Sequence, residues 1–199
     1  MLNECAEAFA KYLGVAFARI WTLNEEENML ELQASAGIYT HLDGAHSRVP
    51  VGSSMLGKIA EQRKPHFSNN VITDSLISDR DWARSEGMIA FAGFPLLVDN
   101  QLLGVLAMFF REQLTEDALE VLRSATNNLA LGIKRKIGDK LIRENLTKWQ
   151  TVLNGTITAL SATVEQRDPY TAGHQRRVSQ LACSIADEMG LANDQIEGL

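Results

Sequence analysis

Apolar side chains return every three or four positions from Leu129 to Val164. Leu129, Ile133, Ile137 and Leu141 step by four, and Ile142, Leu146, Trp149 and Leu153 alternate four and three. Ile157, Leu160 and Val164 extend the stripe past Asn154-Gly155, a pair able to end one helix and start another. This is the spacing of a helix with one apolar seam. Thr115, followed by Glu116 and Asp117, makes a good helix start, and no proline interrupts before Val164. Unbroken from 115 to 164, the helix would be roughly 75 Å long at 1.5 Å per residue. A compact domain of about 130 residues cannot bury that length. The part beyond the domain needs a partner, and its own copy in a parallel dimer is the simplest one. Gly138, Lys136 and Lys140 interrupt the seam, as fits a coil that switches between two packings.

Upstream, the apolar residues gather into runs of strand length. VAFARIWTL (15–23) and MLELQASAG (29–37) read as strands separated by the polar turn NEEEN. A loop containing YTHLDGAHS leads to the short strand RVPV. Ser53 or Ser54 caps a short helix reaching about Arg63, which Pro65 ends. HFSN (66–69) is one more strand, and a polar loop with a short helix fills 70–88. The strongest strand signal is IAFAGFPLLV-DNQ-LLGVLAMFF (89–110), two apolar runs around Asp99-Asn100. That pair tolerates left-handed backbone, so the segment reads as a hairpin in the middle of a sheet. Its near-continuous hydrophobicity predicts that both sheet faces are covered. At the start, Leu2, Cys5, Ala6, Phe9 and Leu13 mark a helix over 2–13 with no cap at Met1, as expected of a segment cut from something longer.

Composition narrows the choices. The 199 residues are 45% apolar and 22% charged, enough for a globular core. A formal net charge of −6 without a long basic run argues against nucleic acid or an anionic membrane as partner. KRK at 134–136 reads as a solvated helix face. Cys5 and Cys183 belong to no CxxC or Cys/His cluster, which disfavours a disulfide framework or a zinc site. The first residues lack a signal-peptide pattern, and no run approaches the roughly 18 apolar residues of a membrane span. A soluble, cytoplasmic protein is expected.

The order helix, strands, short helices, central hairpin and long exit helix resembles a GAF domain over about residues 1–137. LELQASAGIYTHLDG, WARSEGMIAFAGFPLLV and LLGVLAMFFREQLTEDALEVL resemble a GAF subfamily of bacterial signalling proteins. The resemblance implies an α+β fold: a central antiparallel sheet with flanking helices, then a long C-terminal signalling helix and a final helix. It also implies a pocket for an unknown small-molecule ligand between sheet and helices, and frequent dimerisation. Trp82 and Phe91 read first as core aromatics; in an open pocket they are its candidate lining residues, with Asn69 and Asp74 as candidate polar contacts. His41, His46 and His66 lack metal-ligand spacing and read as surface histidines. A bilin would need a suitably placed thioether cysteine, and a methionine-sulfoxide reductase a reactive one near the pocket. Cys5, on the first helix, serves neither role.

A second resemblance begins at EQRDPYTAGHQRRV (165–178). Residues 156–199 are similar to the opening of an HD-GYP domain, a family that hydrolyses cyclic di-GMP at a two- or three-metal site. Arg167, Asp168, Pro169, Tyr170, Thr171, Gly173, His174, Arg177 and Val178 match the family's RDPYTxGHxxRV. Independently of the resemblance, Asp168 suits a helix cap with Pro169 at the first position. Val178, Leu181, Ala182, Ile185 and Met189 then mark a buried face that Gly190 closes. By pattern, a histidine on that face is a hydrogen-bonded core residue. By resemblance, His174 is a metal ligand of the complete enzyme, which would hold two divalent ions of iron or manganese type. Tyr170 stands where some relatives place Glu as a ligand to a third metal.

No His-Asp pair or Gly-Tyr-Pro segment occurs among the 199 residues, so this chain is expected to lack catalysis of its own. The expected organisation is a GAF sensory domain over 1–137, a helical linker over 138–166 and the first helical part of an HD-GYP domain over 167–199. The leading functional expectation is a homodimeric, small-molecule-sensing regulator of a cyclic di-GMP phosphodiesterase. The alternative is a ligand-free dimerisation module whose pocket is filled by side chains.

Overall fold

The computed structural model describes residues 1–44, 46–167 and 169–191, with side chains described throughout these except at 164–167, 169–173, 175 and 176. Two compact units divide the chain, Met1–Gly138 and Asp139–Leu199.

The first unit is built on a six-stranded antiparallel sheet in the order β3-β2-β1-β6-β5-β4. Its strands are β1 (Phe17–Asn24), β2 (Met29–Gly37), β3 (Arg48–Pro50), β4 (His66–Ser68), β5 (Ala90–Val98) and β6 (Gln101–Phe110). The predicted central hairpin is β5–β6, and its turn places Asp99 and Asn100 at φ 50° and 62°. These left-handed values are ones that short polar side chains tolerate. The two halves of the sheet join at its centre through the pairing of β1 with β6, where Phe17 lies opposite Phe109 and Arg19 opposite Ala107.

Because side chains alternate along a strand, each strand serves two cores. On one face Ala18, Ala34, Ala36, Ala90 and Ala92 present small side chains, with Ile20, Leu106, Met108 and Phe110 between them. Small residues let helices approach closely. α1 (Leu2–Tyr12) inserts Ala6 and Phe9 here, and α4 (Glu116–Arg167) brings Leu119, Leu122, Leu129, Ala130 and Ile133. Each such fully buried Leu, Ile or Phe contributes about 1.5–3 kcal/mol. On the other face Phe17, Trp21, Phe91, Val105 and Phe109 meet α2 (Ser54–Gln62) and α3 (Arg80–Ser85) through Leu56, Ile59 and Ala83. Both faces are covered, as the near-continuous apolar runs predicted.

Local signals mostly carry through. Thr115 Oγ1 accepts from Ala118 N–H at 3.2 Å, and Asp79 accepts from Trp82 N–H at 3.0 Å. Ser53 stands at the N-cap of α2, yet its hydroxyl donates to Pro50 O instead of capping. Asn154-Gly155 does not divide α4, which runs unbroken over 52 residues. Both residues retain helical geometry there, because a single Gly costs only about 1 kcal/mol against its many helical neighbours.

In the second unit the stripe Leu141, Ile142, Leu146, Trp149, Leu153, Ile157 and Leu160 is exposed. α5 (Pro169–Glu188) carries the expected buried face differently. Of that expected face Val178, Leu181, Ile185 and Met189 are exposed and Ala182 is half-buried, while the neighbouring Ala186 is buried. Amphipathic spacing specifies which face will be covered but cannot itself supply the covering surface. No helix among the described residues is long and apolar enough to cross a membrane.

Gly104 sets how closely the two central strands meet. A Cβ there would stand 2.0 Å from Trp21 O, with Thr22 Cα and Trp21 C at 3.0 Å, all of them backbone. Backbone cannot swing aside as a flexible side chain does. Gly104→Ala is therefore expected to destabilise the first unit by about 2–4 kcal/mol, read as a lowered urea midpoint with an unchanged slope.

Candidate functional site

A cavity of about 360 Å³ opens on the second face of the sheet. Its floor follows from strand alternation: Phe17, Arg19 and Trp21 of β1 and Ala107 and Phe109 of β6 point the same way. The loop after β2 forms one wall with Tyr39 and His41. The first turn of α2, the segment 76–79 and Trp82 of α3 form the others. Space exists above Arg19 because its neighbours across the sheet are small, Ser35 on β2 and Ala107 on β6.

The walls are tied together by hydrogen bonds. Trp21 Nε1 donates to His46 O at 2.8 Å and pins the loop after β2. Trp82 Nε1 donates to the Tyr39 hydroxyl, which donates to Glu86 Oε1, both at 3.0 Å. That relay joins the loop to α3. Around it the rings of Phe17, Tyr39, Trp82 and Phe109 meet mostly edge to face, with centroids 5.2–6.2 Å apart across four pairs. Phe17 stacks on Phe109 at 5.0 Å. Such aromatic pairs add about 0.5–1.5 kcal/mol each beyond burial and stiffen the walls.

Arg19 is the unusual member. It is only 8% exposed and belongs to none of the ion pairs among the described residues. Its Nε donates to Ser35 Oγ at 3.2 Å, and Ser35 in turn donates to Tyr39 O at 2.8 Å. Nη2 lies 3.5 Å from His41 Nε2. The guanidinium carbon sits 5.7 Å and 5.9 Å from the ring centres of Phe17 and Tyr39, within cation–π range. Nη1 has no protein partner among the described residues. Since no fully buried side-chain nitrogen or oxygen there lacks one, Nη1 reaches the cavity. Burial pushes the guanidinium below the usual arginine range, partly offset by the Tyr39 phenol. An arginine still keeps its proton.

Of the residues expected from sequence at this site, Trp82 is on the cavity wall. Phe91 is fully buried one layer below, its ring 4.8 Å from that of Phe109. Asn69 does not face the cavity: its Nδ2 donates to Leu114 O at 3.0 Å, and its Oδ1 accepts from Leu114 N–H at 2.7 Å. It clamps the end of β4 to the approach of α4. Asp74 does not line the cavity either. It accepts from Leu76 N–H at 2.9 Å and pairs with His66 Nε2 at 2.7 Å, which fixes the segment that supplies the wall at 76–79. The His41 and His46 expected on the surface are exposed but belong to the cavity lining, and His66 is partly buried against Asp74.

Arg19, Tyr39, Trp21 and Phe109 were missed by the sequence reading. A signal for Arg19 is present in FARIW, a charged residue two positions from an aromatic on either side, hence on their buried face.

The HD-GYP resemblance implies His174 as a metal ligand of the complete enzyme. His174 is exposed on α5. Among the described residues no three His, Cys, Asp or Glu side chains gather to hold a metal ion. Asp168 lies outside the described residues, and the matching side chains of Arg167, Pro169, Tyr170, Thr171 and Gly173 are among those left aside.

Comparison with known proteins bears on the first unit. A family model described as the GAF domain matches residues 1–134. The chain is similar to the GAF domain of a phosphoenolpyruvate-protein phosphotransferase from Coxiella burnetii, at 17% identity over 69% of this chain and 83% of that one, TM-score 0.61. It is similar to a type II free methionine-R-sulfoxide reductase from Thermoplasma acidophilum, at 12% identity over 68% and 90%, TM-score 0.54. A GAF domain/HD domain protein from Geobacter sulfurreducens is similar at 12% identity over 66% and 88%, TM-score 0.52. At these identities the likeness shows the fold alone. Comparison with curated proteins gives no match.

Asp74 yields a pH test. Burial opposes its ionisation, but the hydrogen bonds from Leu76, His66 and Ser68 and the charge of His66 outweigh it, so its carboxyl lies below the usual 3.8. A depressed carboxylate stabilises the fold fully above the unfolded-state value and loses that contribution as pH falls through the lower, folded-state one. Asp74→Ala is expected to cost about 1–3 kcal/mol near pH 7. In thermal denaturation the gap from wild type should close below about pH 4.

Proposed function

The chain belongs to the GAF domain family, and from that premise we propose that it is the small-molecule-sensing, regulatory part of a cyclic di-GMP phosphodiesterase of the HD-GYP type. A ligand enters the cavity, biases the start of α4, and the helix carries that bias towards the catalytic domain through a parallel dimer.

The observation that carries this reading is the alternation of β6. Ala107 and Phe109 line the cavity, while Leu106, Met108 and Phe110 on the same strand pack in the core that holds Leu119, Leu122, Leu129 and Ile133 of α4. One layer of backbone separates ligand from exit helix, and close-packed cores transmit small shifts. Asn69 adds a second tie, holding Leu114 just ahead of α4. The seam beyond supplies the dimer surface: Leu146, Trp149, Leu153, Ile157 and Leu160 are 57–67% exposed. A continuous apolar stripe of this kind calls for a partner helix. The match of 167–178 to the HD-GYP opening supports the identity of the output domain, in which His174 is the metal ligand. Two divalent ions of iron or manganese type would supply the Lewis-acid and hydroxide chemistry of phosphodiester cleavage there. The alternative of a filled pocket finds no support in a cavity of about 360 Å³.

Two measurements test this. The chain is expected to be a dimer by light scattering, and Leu146→Lys with Leu153→Lys to give a monomer whose first unit unfolds at an unchanged temperature. A monomeric wild-type chain at tens of micromolar would sink the dimer relay. With the remainder of an HD-GYP domain joined after residue 199, filling the cavity by Ala107→Phe is expected to change cyclic di-GMP hydrolysis severalfold. An unchanged rate would detach the cavity from the output.

A further inference from the structure

The charge inside the cavity is unbalanced. Among the described residues, Arg19 places a buried cation at the floor with no carboxylate beside it, held at Nε by Ser35 and over the rings of Phe17 and Tyr39. A buried charge without a counter-charge is costly in a medium of low dielectric. A fold built for stability alone would carry an apolar residue between Phe17 and Trp21. The floor is shaped to keep the guanidinium open, with Ser35 and Ala107 as its small cross-strand neighbours and Nη1 free towards the cavity.

We propose that this cavity takes a small organic monocarboxylate with a flat apolar body, the carboxylate paired with Arg19 and the body held by Phe17, Tyr39 and Trp82. This rests on the reading of the cavity as the sensor's ligand site. A carboxylate matches the planar fork of a guanidinium and supplies the missing negative charge. The edge-to-face rings give flat apolar walls to the rest of the molecule. Asp43 and Asp79, exposed and also part of the lining, add two negative charges on the solvent side. They repel a second anionic group, so dianions such as phosphate monoesters are selected against. The volume of about 360 Å³ suits a body of one or two rings.

Trp21 and Trp82 report on the cavity, and Trp149 → Phe removes the remaining tryptophan on α4. In that background, titration at pH 8 uses phenylacetate, phenylacetamide and phenyl phosphate, within a wider panel of aromatic and aliphatic carboxylates, amides and phosphates. Phenylacetate is expected to bind saturably, at least fivefold tighter than its amide or the phosphate, and to weaken at least tenfold in Arg19→Gln. Equal binding of the amide, tighter binding of the phosphate, or indifference to Arg19→Gln overturns the carboxylate assignment and leaves the sensor reading intact. Failure of the whole panel to bind overturns both. Arg19→Met keeps bulk and removes charge. It is expected to raise Tm by several degrees while abolishing phenylacetate binding. A lowered Tm would make the guanidinium a structural element and overturn the proposal.

Discussion

The pairing of β1 with β6 joins the two halves of the sheet at its centre, and the register of that pairing decides what each face can do. Phe17 opposite Phe109 and Arg19 opposite Ala107 put two stacked rings beside a guanidinium with room above it. A slip of one residue would turn Arg19 into the alanine-rich face, where α1 and α4 pack, and bring Ala18 and Ile20 into the cavity. The close approach of Gly104 to the backbone of Trp21 and Thr22 holds the two strands in this alignment. Cavity, aromatic walls and exit-helix packing all depend on it.

That arrangement sets stability against function at one residue. Most of the first unit is conventional: alanines admit helices on one side, and bulky rings fill the other. Arg19 departs from this by holding a charge where burial disfavours it, with Ser35, His41 and two rings as partial compensation. Proteins keep such misfits at sites of function and offset their cost elsewhere in the fold. The polar residues nearby behave in the opposite way. Asn69 and Asp74 spend their hydrogen bonds on the protein itself, one holding Leu114 and the other the 76–79 wall.

α4 belongs to two environments along its length. Up to Ile133 the stripe Leu119, Leu122, Leu129 and Ile133 is buried on the sheet, and from Ile137 to Leu160 the stripe is exposed. A single helix thus carries both the packing that would sense the sheet and the seam that would pair with another copy. α4 runs unbroken from the one stretch into the other.

Elements were legible in the sequence because their causes are local. Alternation, the Asp99-Asn100 turn, the Thr115 start and the three-four stripe each depend on residues a few positions apart, and each stands in the structure. Asn69 and Asp74 are candidate polar contacts by sequence, yet both are consumed by partners 45 and 8 residues away. Trp82 was found because its aromatic character marks a wall in either case, whereas Phe91, similar on paper, lies one layer too deep. Arg19 drew no notice because nothing in FARIW says which residues will stand across the sheet. The sequence by itself determined the strands, the helices and the apolar faces, since those follow from periodicity along one chain. Only the tertiary structure decided that Ser35 and Ala107 flank Arg19 and that Tyr39 and Trp82 roof it. Cross-strand register and loop closure bring together residues far apart in the chain, and a cavity exists only where such residues leave space.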